Sequence, residues 1–174
     1  MIYYTINTNN YIEDLQAPDW VTVLEDFDDE DPVRGSRRQK ILCPFDEPSV
    51  YIDASKVHLL NDKFRELSEE IISKGAFTVM DHPHKHSYLE ECAEYVSKGW
   101  VDPDDILKFS IDVADTEFNF EEYFSPLCTI IWRPQNNKDF NNLWWDWYNK
   151  GGVRDQLSFS VALQLSGIEH ESVY

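Results

Sequence analysis

The chain has 174 residues, of which 42% are hydrophobic and 14% aromatic, so it can bury a core and is not a disordered tail. Its 15 Lys and Arg residues stand against 33 Asp and Glu residues, which gives a formal net charge of -18. A surface this acidic repels the phosphates of nucleic acids and of anionic membranes, and therefore disfavours both as partners. A small phosphorylated ligand remains compatible with it, provided that a local cluster of Arg and Lys or a bridging cation receives the phosphate.

The three cysteines, Cys43, Cys92 and Cys128, are sparse and lack the spacing of a metal or redox motif. We expect free, buried thiols and a reducing compartment. The first residues do not resemble a signal peptide, and no apolar run approaches the length of a membrane span. These features predict an intracellular, cytoplasmic protein without membrane insertion.

The N-terminal part of the chain predicts two strands. Ile2 to Ile6 is the first, closed by a polar turn over residues 7–10, and Trp20 to Leu24 is the second. An acidic run over residues 25–31 follows and ends at Pro32. It is interpreted as a solvated loop, with a cation site as the alternative.

A basic cluster comes next, the only dense one in the chain. It consists of Arg34, Arg37, Arg38 and Lys40. One interpretation is that these side chains neutralise the acidic run beside them. The other is an anion site, because the planar guanidinium fork of Arg suits phosphate oxygens.

Asp53 directly follows a short run of strand-forming residues. Val50, Tyr51 and Ile52 favour a buried strand, and Pro48 marks where it can begin. A carboxylate at the end of a buried strand is costly unless something pairs with it. In an open α/β sheet, ligands bind at the carboxyl ends of the strands. Asp53 is therefore either a cap of the following turn or a ligand for a metal or substrate.

Two strand–helix units then follow in succession. A helix capped by Asn61 or Asp62 carries an apolar stripe that we assign to the core and ends at Gly75; the stripe is Phe64, Leu67, Ile71 and Ile72. The next strand, over residues 76–80, leads into Asp81 and then a capping box at 87–90, which opens a helix to about residue 99. This alternation predicts one α/β domain over residues 1–174, with a mainly parallel sheet flanked by helices.

The C-terminal part is predicted as an excursion, a strand and two helices. Residues 100–125 are interpreted as mixed helix and loop, and residues 127–132 as a strand. A helix with Phe140, Leu143, Trp144 and Trp147 on its buried side ends at 151–152. The last helix ends at Gly167. Asp155 is either its N-cap or, with Gln156, a pair of side chains shown to a substrate.

Three histidines in five residues, His82, His84 and His86, raise a zinc hypothesis. Pro83 breaks regular strand pairing, and no Cys or Glu follows at the spacing of a zinc site. A substrate-contacting loop or surface histidines are the alternatives. A zinc-dependent hydrolase built on this loop is the weaker enzyme hypothesis.

The order of these motifs resembles a family of GT-A-type glycosyltransferases from plants, bacteria and large viruses, long catalogued as a domain of unknown function. The resemblance spans nearly the whole chain, and its motifs are RRQK at 37–40 with Pro44, YIDAS at 51–55, HP at 82–83 with YLEE at 88–91, a Trp-rich segment, and RDQLSF at 154–159. It implies a Rossmann-related fold and the transfer of a hexosyl or pentosyl group from a UDP- or GDP-sugar to a glycan or other hydroxyl acceptor.

The resemblance also implies site residues. The strand and loop from Tyr3 to Asn10, with Thr5 and Asn7, would hold the base and ribose, and Arg37, Arg38, Lys40 and Arg154 would face the diphosphate or sugar. Asp53, Ala54 and Ser55 would take the place of a cation-binding motif for Mn²⁺ or Mg²⁺, which His170 would complete. Asp155 and Gln156 would line the reaction centre, and His82 to His86 would lie near the sugar or acceptor.

The chemistry of sugar transfer is consistent with that set. A hard cation or fixed positive charge neutralises the leaving diphosphate. An inverting enzyme also needs a general base, for which Asp155 or one of the histidines is the candidate. Ser55 departs from the motif, since many relatives carry a second Asp there. This departure, together with the short chain, motivates an alternative: a nucleotide-sugar-binding protein without catalysis.

Overall fold

The computed structural model describes residues 1–25, 30–84, 87–151 and 154–173. These residues form six strands and six α-helices. The strands are β1 (Ile2–Ile6), β2 (Val21–Leu24), β3 (Ser49–Ile52), β4 (Phe77–Asp81), β5 (Pro126–Arg133) and β6 (His170–Val173). The helices are α1 (Pro32–Leu42), α2 (Asp62–Ser73), α3 (Tyr88–Ser97), α4 (Pro103–Ala114), α5 (Lys138–Gly151) and α6 (Asp155–Ser166).

The strands form one mixed sheet in the order β2-β1-β3-β5-β4-β6. β1 is parallel to β2 and β3, and β4 is parallel to β6, whereas β5 is antiparallel to both β3 and β4. The predicted α/β class with a mainly parallel sheet is confirmed. β5 reverses because two helices, α3 and α4, separate it from β4, and this pair returns the chain to the same edge of the sheet.

Both faces of the sheet are buried, because successive side chains of a strand point to opposite faces. Tyr4, Tyr51 and Ile131 face the larger core, which includes the aromatic side of α5 and much of α6. Tyr3, Val50, Ile52, Ile71 and Trp132 belong to the smaller core on the α2 face. Trp132 Nε1 donates to Ser68 Oγ at 2.9 Å, so its one polar atom is satisfied there.

Local signals in the sequence account for most helix ends. The capping box at 87–90 is present, with Ser87 and Glu90 capping each other's backbone. Asn61 is the N-cap of α2, and Gly75 and Gly167 adopt the positive φ that glycine tolerates after a helix. The assignment of Leu67 to the core is wrong, because its side chain is 49% exposed whereas Ile71 is buried.

Helix α1 was not predicted. Its sequence is mostly polar and carries Gly35, so no apolar stripe announces it. Its start is nevertheless encoded: Asp31 accepts hydrogen bonds from the amides of Val33 and Arg34, and Pro32 occupies the first helical position. The acidic run that precedes it falls partly on residues 26–29, which lie outside the described residues.

Two general predictions can be compared with the structure. Cys43, Cys92 and Cys128 are free and buried, as expected. Burial raises the pKa of the Cys92 thiol to about 11 and raises that of Cys128 further. Within the described ranges, no helix combines the length and the apolar character that crossing a bilayer requires.

Candidate functional site

A cleft of about 600 Å³ opens where β1 and β3 end, beside the first turns of α1. Five predicted site residues line it: Arg37, Asp53, Ala54, Ser55 and Arg154. The remaining lining residues are Ile6, Thr8, Asn9, Tyr11, Pro32, Val33, Ser36 and Tyr51. The cleft therefore lies at the carboxyl ends of parallel strands, where open α/β sheets bind ligands.

Asp53 is both a turn cap and a residue of the cleft. Its backbone amide donates to Thr129 O at 2.7 Å, which extends the pairing of β3 with β5 by one residue. Its Oδ1 accepts from the amide and the hydroxyl of Ser55, at 3.0 and 2.9 Å. These bonds fix the carboxylate at the start of a short 3-10 turn, which confirms the interpretation of Asp53 as a cap, and the residue also lines the cleft.

Asp155 is a buried ion-pair partner and not an N-cap. Arg154 holds the N-cap position of α6, and Asp155 is the first helical residue. Its Oδ2 lies 2.5 Å from Lys40 Nζ, and its Oδ1 lies 3.4 Å from Arg37 Nε. Burial alone would raise the pKa of this carboxyl, but the two cations outweigh burial and hold it well below its usual range. Asp155 is therefore ionised and a weak base.

Arg37 connects this ion pair to the cleft. Its guanidinium reaches Asp155, and its side chain remains 24% exposed and lines the cleft. The Asp155 carboxylate raises the pKa of Arg37 further above its already high value. Lys40, in contrast, is 4% exposed and lies below, with its ammonium over the Tyr51 ring. The prediction that Lys40 faces a diphosphate is corrected, because its ammonium group is buried and forms an ion pair with Asp155.

Arg154 borders the cleft from the other side. Its guanidinium lies 4.6 Å from the ring centre of Trp100 and 6.0 Å from that of Tyr95. Among the described residues, its buried Nε atom has no hydrogen-bond partner, and neither has the buried hydroxyl oxygen of Thr8, another lining residue. Buried polar groups normally have partners, so these two atoms are exceptions beside the cleft.

Several predicted nucleotide contacts lie elsewhere. Thr5 is fully buried within β1, and the Asn7 side chain closes its own loop through two hydrogen bonds with the Ile12 backbone. Arg38 is exposed on α1 and does not line the cleft, because one residue along a helix turns a side chain away by about 100°. These three assignments are corrected.

His170 does not join Asp53. It begins β6 and pairs with Phe77, whereas Asp53 follows the last residue of β3. Three strand spacings separate β3 from β6, and His170 is about level with Ser49, so the two residues lie about 14 Å apart across the sheet and about 13 Å along it. The prediction that His170 completes a metal site is wrong. Because β6 runs parallel to β3, the start of β6 lies at the opposite end of the strands from Asp53.

The histidine loop follows β4 and begins at the same end of the strands as Asp53, but its described residues, 82–84, do not line the cleft. His82 Nδ1 is 2.6 Å from the carbonyl of His84, and His86 falls outside the described residues. Among the residues that the structure describes, no group of three or more His, Cys, Asp or Glu side chains is arranged to hold a metal ion.

Gln156 does not line the cleft, whereas several residues that the sequence did not single out do. The Gln156 side chain turns toward α3, where its Oε1 lies 3.0 Å from Tyr95 OH. Thr8, Tyr11, Val33 and Ser36 line the cleft but were not singled out from the sequence. The Asp31-Pro32 helix start was the available signal for Val33 and Ser36, because it places them in the first turns of a helix.

Comparisons of the chain with protein-family models, with curated proteins and with solved structures find no match.

Proposed function

We propose that this protein is a glycosyltransferase that moves a sugar from a nucleotide-diphosphate donor to a hydroxyl acceptor. One observation carries the proposal: the cleft brings Arg37 and Arg154 together with Asp53 and Ser55 at the carboxyl ends of β1 and β3. In a chain of net charge -18, this local pair of arginines is suited to an anionic ligand. The order of motifs in the sequence supplies the reaction class.

Arg37 and Arg154 would receive the diphosphate. Arg forms charge-assisted bonds with phosphate oxygens, and the buried Nε of Arg154 is without a partner among the described residues. The apolar lining residues Ile6, Pro32 and Val33 would offer van der Waals contacts to the base. Fixed positive charge at the diphosphate would stabilise the leaving group as its charge develops.

The residues present fit a cation shared with the ligand better than a resident metal ion. Asp53 is the one carboxylate among the described residues that line the cleft, and the Ser55 hydroxyl donates to it. Mg²⁺ is commonly held by one or two carboxylates together with substrate phosphates. Asp53 would supply the protein ligand, and a bound Mn²⁺ or Mg²⁺ would neutralise diphosphate charge.

Asp155 would act by holding Arg37 and not by removing a proton. Both carboxylate oxygens face cations, and its depressed pKa makes it a poor base. This engagement favours a second candidate function, a nucleotide-sugar-binding protein that does not transfer. The two candidates share the cleft and differ in turnover alone.

Titration calorimetry of the wild-type chain with UDP, GDP and their sugars, with and without Mn²⁺, tests the proposal. Replacing Arg37 with Ala removes one charge-assisted bond to phosphate, worth about 1.5–3 kcal/mol, and should weaken binding roughly 10- to 100-fold. Arg38→Ala is the matched control, because Arg38 is on the same helix and outside the cleft; it should change binding less than about twofold.

Binding by neither nucleoside diphosphate at millimolar concentration would exclude the proposal. Equal weakening by Arg37→Ala and Arg38→Ala would show that binding, if present, takes place elsewhere. Donor hydrolysis or transfer to an acceptor panel would identify the enzyme, and tight donor binding without turnover would identify the binding protein.

A further inference from the structure

Glu91 is a buried carboxylate for which the proposed reaction has no direct use. It lies on α3, is 3% exposed and has no ion-pair partner within the described residues. Three hydroxyl groups point at it instead. Tyr123 OH donates at 2.5 Å, Ser125 Oγ donates at 2.8 Å, and Tyr95 OH donates as well. Burying a charge without a cation is expensive, so this arrangement needs a reason beyond packing.

Tyr95 connects Glu91 to the first turn of α6. Its hydroxyl lies 3.0 Å from the Gln156 amide, and its ring packs against the guanidinium of Arg154. The single proton of the phenol faces two acceptors, the Glu91 carboxylate and the Gln156 Oε1 atom. One side chain, Tyr95, thus contacts the residues on either side of Asp155.

Ser125 connects Glu91 to the histidine loop. While the Ser125 hydroxyl donates to Glu91, the Ser125 carbonyl accepts from the backbone amide of His82 at 3.3 Å. The chain of contacts runs from the loop after β4, through Glu91, to the start of α6. Asp155 is fixed independently from α1 by Lys40 and Arg37.

We propose that Glu91 is a positioning residue that holds the His82 loop and the Arg154–Gln156 turn in one fixed arrangement at the edge of the sheet. A hydroxyl group forms a stronger hydrogen bond with a carboxylate than with a neutral acceptor, so the bond to Glu91 fixes the orientation of the Tyr95 side chain. Tyr95 in turn positions the Gln156 amide and the Arg154 guanidinium, because it contacts both. In the glycosyltransferase proposed above, on which this part of the inference rests, Arg154 would meet the diphosphate, because it lines the cleft.

The direct test does not need a ligand. In ¹H–¹⁵N spectra, Glu91→Gln should shift the side-chain amide of Gln156, which Glu91 does not touch, and Tyr95→Phe should shift the backbone amide of His82. Tyr88→Phe is the matched control, because Tyr88 is also a buried phenol of α3, bonded at 2.9 Å to Ser110 Oγ outside this network. It should leave both signals in place.

Unmoved Gln156 and His82 signals in the folded Glu91→Gln and Tyr95→Phe proteins would overturn the inference. If Glu91→Gln does not fold, Tyr95→Phe decides alone, since it keeps the ring and removes one hydroxyl.

The second readout is the affinity for a nucleoside diphosphate, which Arg154 would bind. Tyr95→Phe should lower this affinity about fivefold to tenfold while Tyr88→Phe keeps it. An unchanged affinity with shifted NMR signals would limit Glu91 to holding the loops. Absence of any nucleotide binding by the wild type would count against the proposed function and leave the NMR result to decide the inference.

Discussion

Removing the charge of Asp155 should destabilise the protein more than any other single loss of a carboxylate. In Asp155→Asn, the Lys40 ammonium, 4% exposed, and the Arg37 guanidinium lose their counter-charge. Breaking a buried ion pair by removing one partner costs about 3–5 kcal/mol, because the remaining charge stays desolvated. Since Arg37 keeps contact with solvent, most of the cost falls on Lys40. Urea unfolding followed by circular dichroism measures it as a lower midpoint at unchanged slope.

The pH dependence gives an independent check on the same ion pair. The pKa of Asp155 is lower in the folded protein than in the unfolded chain, where an Asp titrates near pH ~3.9. Its contribution is therefore complete above that value and is lost as the pH falls toward the lower, folded pKa. Wild-type stability should decline in this acid range more steeply than that of Asp155→Asn.

An exposed acid provides the control. Asp146→Asn, on the solvent side of α5, should change the unfolding free energy by less than about 0.5 kcal/mol. A loss below about 1 kcal/mol in Asp155→Asn, with an acid limb like that of the wild type, would refute the reasoning, because such a pair would be solvated.

Three further predictions concern the metal, the core and the thiols. Mn²⁺ should bind measurably only with a nucleoside diphosphate present, and Asp53→Asn should abolish that enhancement, as followed by calorimetry. Ile71→Ala should cost about 2–4 kcal/mol and Leu67→Ala less than about 1 kcal/mol in urea unfolding, because the first side chain is buried and the second is half exposed. Cys92 should resist alkylation at pH 8 in the folded protein, since its pKa is raised to about 11 and the thiolate is the reactive form.

For each of these three predictions, one result would contradict it. Stoichiometric Mn²⁺ binding without nucleotide would mean a resident site that one carboxylate does not explain. Equal losses for Ile71→Ala and Leu67→Ala would contradict the orientation of α2. Modification of Cys92 at the rate of an unfolded control, measured by mass spectrometry, would place that thiol in solvent.

Sequence reasoning located the cleft because its evidence is local. A run of strand formers ending at Asp53, with the alternation of strands and helices around it, places that residue at the carboxyl edge of a sheet. Caps are equally local, and the Ser87–Glu90 box was identified from four residues.

Pairing between distant residues was the part that the sequence could not supply. Lys40 and Asp155 are 115 residues apart, and the local sequence favours an N-cap role for Asp155, whereas the structure places Lys40 of α1 against its carboxylate. The His170 prediction failed for a related reason. Strand order and direction decide at which end of the sheet the first residue of a strand lies. No local signal shows that β6 starts at the end opposite to Asp53.

The antiparallel direction of β5 has a consequence for how this protein can vary. Asp81 ends β4 directly opposite Pro126, the first residue of β5, so segment 82–125 leaves the sheet and returns at the same point. Because the two ends of the segment meet, the cost of closing it rises only slowly with its length. We expect residues to be gained or lost in its exposed turn after α4, at 115–117, while α3 and α4 keep their contacts with the core.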